Sequence, residues 1–160
     1  MNKSLSIPEW HELAKSGNAP PVRIILNGYS MHPLIRYKRD HVTIVAYEEE
    51  PVIGDIVLFF EPDTGRYVVH RIWEMEDGKI RTWGDYCLGP DRWIPYSAVW
   101  GKVILIERGK KKIIPNPQKG IIWAKIWHQE VRAKQLYERY KTGIKSRVSK
   151  LIKHFMRGNR

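Results

Sequence analysis

Three short segments carry residue types that can do acid–base and nucleophilic chemistry. In Gly28-Tyr29-Ser30-Met31-His32-Pro33, a serine sits in a turn directly after a strand-like run, with a glycine two before it and a proline three after. That setting can present a hydroxyl and a backbone N–H outward together, as a nucleophile with an oxyanion site requires. In Val68-Val69-His70-Arg71-Ile72, a histidine lies inside a β-like segment. Alternation sets His70 on one face with Val68 and Ile72, opposite Val69 and Arg71. An imidazole with a pKa near 6.5 suits a general base at neutral pH. In Trp83-Gly84-Asp85 and Pro90-Asp91-Arg92, two carboxylates follow, either of which can orient such a base. Taken singly, each residue also reads as ordinary structure. Ser30 fits a turn residue, His70 a core histidine, Asp85 a turn cap and Asp91 the partner of an arginine.

The elements that must position these residues are mostly β. From 22 to about 114 the chain alternates and favours β-branched residues. Strands are expected at 22–26, 41–47, 55–60, 66–76, 79–83, 98–107 and 112–114. Pro62-Asp63-Thr64-Gly65 signals a turn, and Asp77-Gly78 between Glu76 and Lys79 signals a tight hairpin. Before this region, 7–16 reads as a short helix with Pro8 in its first turn and Gly17-Asn18 ending it. After Pro115-Asn116-Pro117 the period becomes helical. Ile122, Ile126, Ala133, Leu136, Tyr140, Ile144, Val148, Leu151 and Phe155 recur at three- and four-residue steps, giving one amphipathic helix or two with a break near Gly143. The expected organisation is a helix and linker over 1–21, a catalytic β domain over 22–114 and a basic helical tail over 115–160.

Charge separates the tail from the rest. Residues 1–118 hold 16 Lys+Arg and 15 Asp+Glu, whereas residues 119–160 hold 12 and 2. The first part is a nearly neutral domain, and the second a basic appendage. The single cysteine, Cys87, forms no internal disulfide and reads as a small buried residue. The six histidines are scattered without zinc-ligand spacing, so neither a metal nor another cofactor is expected. No secretory signal peptide is visible, and no run reaches the ~20 apolar residues of a membrane span. A cytoplasmic or peripheral membrane location is therefore expected.

The order of the segments adds to their separate content. Gly28-x-Ser30-Met31-x-Pro33, Gly54-Asp55-Ile56-Val57-Leu58-Phe59, Val69-His70-Arg71-Ile72, Gly84-Asp85 and Val99-Trp100-Gly101-Lys102-Val103 follow one another along the chain. Together they resemble the ordered boxes of the type I signal peptidase family, within the superfamily that also holds the SOS-repressor peptidases. The resemblance runs from about 22 to 108. It resembles the branch that uses histidine rather than lysine as general base. The resemblance implies a mostly β, signal-peptidase-like catalytic domain and a serine endopeptidase cleaving a precursor or signal peptide after small residues. By the same resemblance, Ser30 attacks the scissile carbonyl and its N–H donates to the oxyanion. His70 shuttles the proton, Asp85 or Asp91 supports it, and Gly28, Tyr29, Met31 and Pro33 border the substrate. Three features depart from the family pattern. Tyr86-Cys87 stands where an asparagine usually follows Gly84-Asp85. Gly28 stands where some bacterial members carry a second hydroxyl. No membrane-spanning anchor precedes the serine.

Two other functions share these features. A self-processing regulator of the SOS-repressor type would need a DNA-binding domain, and the 21 residues before the first strand are too few for one. A non-catalytic membrane- or partner-binding module would keep the fold without the chemistry. For residues 119–158, Trp123, Trp127, Tyr137, Tyr140 and Phe155 with flanking Lys and Arg suit an anionic membrane surface. The alternatives are packing on the chain's own β domain or on a second copy, and binding of a precursor or of nucleic acid. Basicity alone carries no specific nucleic-acid recognition.

Overall fold

The computed structural model describes residues 5–61 and 64–157, with side chains described as far as residue 145. Pro62 and Asp63 of the expected turn lie outside the described residues, as do the side chains of Val148, Leu151 and Phe155. The elements in order are α1 (Ile7–Lys15), β1 (Val22–Ile25), β2 (His41–Ala46), β3 (Ile56–Glu61), β4 (Arg66–Glu76), β5 (Lys79–Trp83), β6 (Trp93–Pro95), β7 (Val99–Arg108), β8 (Lys111–Ile113) and α2 (Pro117–Arg157). The protein is mostly β. Its eight strands form one antiparallel sheet in the order β1-β2-β7-β3-β4-β5-β6, with β8 added on β7.

Local chemistry explains the element boundaries. Ser6 caps α1 by accepting from the Glu9 N–H, while the Glu9 carboxylate accepts from the Ser6 N–H at 2.9 Å. Asp77 and Gly78 both take positive φ, 44° and 75°, as the primed two-residue hairpin turn between β4 and β5 requires. β6 is the one strand the alternation does not reveal. Three residues ending in a proline are too few to show a period, and Pro95 is tolerated because β6 lies at the sheet edge.

Both faces of the sheet are covered around β3, which is why 56–59 reads as an uninterrupted apolar run. Ile56 and Leu58 join one cluster with Trp10, Met31, Ile35, Val42, Ile44, Val69, Val103 and Ile106. Val57 and Phe59 join another with Ile72, Ile80, Ile94 and Val99. α1 contributes its one buried residue, Trp10, to the first cluster, and the indole N–H donates to the Pro20 carbonyl at 2.7 Å. α2 runs unbroken through Gly143, which settles the choice between one helix and two. Among the described residues no helix is long and apolar enough to cross a membrane.

Candidate functional site

Ser30 and His70 line one cleft of about 370 Å³, with Gly28, Met31, Leu58, Val68 and Val69 among its walls. The sheet order explains the cleft. Among the described residues, β1 pairs only with β2, and β5 pairs with β4 only from Arg71 onward. The first half of β4 and the outer side of β1 therefore keep an unpaired edge each, and Ile24–Ile25 and Arg66–His70 line the cleft between them. Ser30 enters from the turn after β1. The Tyr86 N–H donates to the Ser30 carbonyl at 2.7 Å, and Ile35 N–H closes the turn onto Met31 O at 2.8 Å. The His32–Pro33 bond within this turn is cis.

His70 is buried to 7 % exposure and faces an ordered acid. Its Nδ1 lies 2.6 Å from Asp91 Oδ2. A carboxylate only accepts, so Nδ1 carries the hydrogen and the neutral ring leaves its lone pair on Nε2. Thr82 holds the same oxygen by donating its hydroxyl at 2.6 Å, and Asp91 N–H returns to Thr82 O at 2.8 Å. Thr82 is a site residue that the sequence reading missed. Its one signal was its place on the buried face of β5 beside Ile80.

Three influences set the His70 pKa. Burial lowers it, but the hydrogen bond donated to Asp91 and the contact with Cys87 outweigh burial and raise it to about 9. Cys87 is partly exposed rather than buried as expected. Gly84 shows how tightly the parts meet. A Cβ there would stand 2.7 Å from Cys87 Sγ, 2.8 Å from His70 Nε2 and 2.8 Å from Ser30 O. Only a glycine lets the 84–87 turn close over the histidine and the serine.

The two carboxylates left open by the sequence part company here. Asp85 is fully buried and forms a two-pronged ion pair with Arg71, Nε to Oδ1 at 3.0 Å and Nη2 to Oδ2 at 2.9 Å. Arg71 Nη1 also donates to Gly54 O at 2.9 Å. Asp91 is thus the residue on His70, and Asp85 braces the strand neighbour that points to the other face. Of the expected substrate-bordering residues, Gly28 and Met31 line the cleft. Tyr29 is exposed and packs on Tyr37, and Pro33 presents its carbonyl to Arg108 Nη2 at 3.1 Å.

The N-terminal half of α2 supports the site from behind. Gly120 lies so close to Arg71 that a Cβ would stand 2.5 Å from Nη1. His128 is buried, stacks on Trp83 at 4.0 Å and places Nε2 3.2 Å from Gly84 O. The sequence reading assigned no role to either residue.

Chemically, an imidazole whose Nδ1 is held by a carboxylate and that lines one cleft with a serine can take a hydroxyl proton and return it to a leaving group. No protein-family model and no curated protein matches the chain.

Proposed function

We propose that the protein is a serine endopeptidase of the signal-peptidase type that cleaves a precursor or signal peptide after small residues. The observation that carries this reading is the Ser30–His70 cleft with Asp91 held on the far nitrogen of the histidine. Ser30 Oγ attacks the scissile carbonyl carbon while His70 Nε2 takes its proton. The collapsing intermediate expels the amine, which receives that proton, and water then releases the acyl group by the same route. The Ser30 N–H is assigned as a donor to the oxyanion. Asp91 keeps the ring in the required tautomer and offsets the imidazolium charge.

The unpaired edges of β1 and β4 suit a substrate bound as an extended strand, its main chain pairing with theirs. Met31, 2 % exposed in the first apolar cluster, lines the cleft together with Ser30. Such an enzyme acts in the cytoplasm or on a membrane surface, on a peptide or protein precursor, and uses no cofactor.

The test is cleavage of a peptide library by wild type, Ser30→Ala and His70→Ala. Wild type is expected to cut after small residues, and each variant to lose about 10³-fold or more in kcat/KM. Undiminished activity in Ser30→Ala would remove Ser30 as nucleophile and turn attention to the Cys87 thiol. A wild type that cuts nothing, with anionic lipid present or absent, would overturn the enzyme reading.

A further inference from the structure

Among the described residues, one face of α2 is buried against the sheet domain and the opposite, apolar face is exposed. Gly120, Ala124, His128 and Val131 follow at three- and four-residue steps and lie against the sheet domain, with Ala124 0 % and Val131 3 % exposed. A helix turns about 100° per residue, which puts Ile122, Ile126, Leu136, Tyr140 and Ile144 on the opposite side. All five are exposed, at 60, 60, 62, 67 and 43 %. Their stripe is about 33 Å long at the helical rise of about 1.5 Å per residue. An exposed apolar patch of this extent marks an interaction surface.

The charges beside the stripe choose its partner. Lys125, Arg132 and Arg139 fall along one side of it, and Lys134, Lys141 and Lys145 along the other. Lys141 stands 3.8 Å from Glu138, one of the two acids in residues 119–160. A second copy docked stripe to stripe would bring basic flanks together in low dielectric, which opposes association. An anionic bilayer reverses that sign. The apolar side chains enter the boundary between head groups and acyl chains, and the long basic side chains reach back to the phosphates. Tyr137 and Tyr140, both exposed, are of the amphipathic type that settles at that depth.

We infer that α2 lies on the surface of an anionic bilayer through the Ile122–Ile144 stripe, while its Ala124–Val131 face stays docked on the sheet. The two faces are opposite, so binding needs no detachment of the helix from the site it braces. This inference stands on α2 alone and does not depend on the peptidase reading.

The test is co-flotation of the intact protein with vesicles. Binding is expected to phosphatidylcholine vesicles containing phosphatidylglycerol and not to phosphatidylcholine alone, and high salt should weaken it. Ile126→Ser with Leu136→Ser should lower the affinity about tenfold or more, since both side chains leave water on binding. Circular dichroism checks that the variant keeps its helix, as exposed positions should allow. Ser30→Ala should bind as wild type does, which separates this result from any result on catalysis. Three outcomes would overturn the inference: no binding to either vesicle, undiminished binding by the double variant, or a dimer by sedimentation that the double variant dissolves.

Discussion

At the scale of single residues, His70 holds opposing influences whose balance predicts a pH profile. Burial lowers its pKa, and the Asp91 hydrogen bond and Cys87 raise it further than burial lowers it, to about 9. A general base works only when neutral, so kcat/KM should climb as pH rises through about 9. Asp91→Asn should remove that support, move the climbing limb to lower pH and cut the rate by about 10²–10⁴. Asp85→Asn should behave differently. It should leave the limb in place but destabilise the fold by about 3–5 kcal/mol, because Arg71 would be left charged in the interior. A pH–rate profile and a urea titration of both variants separate the two roles. The same shift gives a sign for stability. The His70–Asp91 pair contributes in full below the ordinary histidine pKa of 6.5, and its contribution is lost as pH rises through about 9. The two aspartates could not be told apart in the sequence because they lie six residues apart in a stretch without regular period. Pairing of β4 with β5 decides the matter. It sets Ile72 opposite Thr82, and the hydrogen bonds of Thr82 deliver Asp91 to the histidine.

At the scale of elements, the long strand β4 is the central part. Its bounds and those of β5 were legible in full, since alternation and the Asp77-Gly78 turn mark both ends of the hairpin. What alternation could not show is that β5 covers only half of β4 and leaves 66–70 as an open edge. α2 is held to this hairpin through Arg71, and Gly54 makes the fit possible. Gly54 has φ of +100°, and a Cβ there would stand 2.2 Å from Pro117 O. Gly54→Ala should therefore strain its own backbone by about 1–2 kcal/mol and push the start of α2 away as well. A loss of about 2–3 kcal/mol is expected in urea unfolding, against a change within about 0.5 for Gly89→Ala. Gly89 has open space at its Cβ and serves as the control. Equal effects in the two variants would show that α2 does not rest on Gly54.

At the scale of the whole molecule, Asp40 ties the serine turn to the far end of β7. Its fully buried carboxylate accepts from Arg36 at 2.9 Å and from Arg108 at 2.8 Å. Arg108 Nη2 also donates to Pro33 O at 3.1 Å and Leu34 O at 2.9 Å, so one guanidinium grips the segment just after Ser30. Burial raises the Asp40 pKa, but the hydrogen bonds from Arg108 and Arg36 prevail and bring it down to about 2. The depressed value means that this stabilisation is present in full above the ordinary 3.8 and is lost as pH falls through about 2. Asp40→Asn should destabilise the protein by about 3 kcal/mol at neutral pH and flatten the acid limb of its stability curve. Thermal unfolding from pH 2 to 7 reads both effects. An unchanged acid limb would place acid unfolding elsewhere.

By itself the sequence determined most of the sheet, the first turn and stop of α1, the hairpin at Asp77-Gly78 and the order of the serine, histidine and aspartate segments. These are local properties. A β period, a turn conformation or a capping box is written in neighbouring residues. Only the tertiary structure decided which aspartate meets His70, that Cys87 and Thr82 join it, and which face of α2 is buried. The last case shows the physical reason. The richer apolar stripe, Ile122 to Ile144, suited a membrane surface or a packing face equally by its pattern, and it is exposed. The face that docks uses Gly120, Ala124 and His128, whose small or polar side chains score poorly as hydrophobic. They are chosen by how closely a backbone can approach Arg71 and Gly84, a distance set by strands far away in the chain.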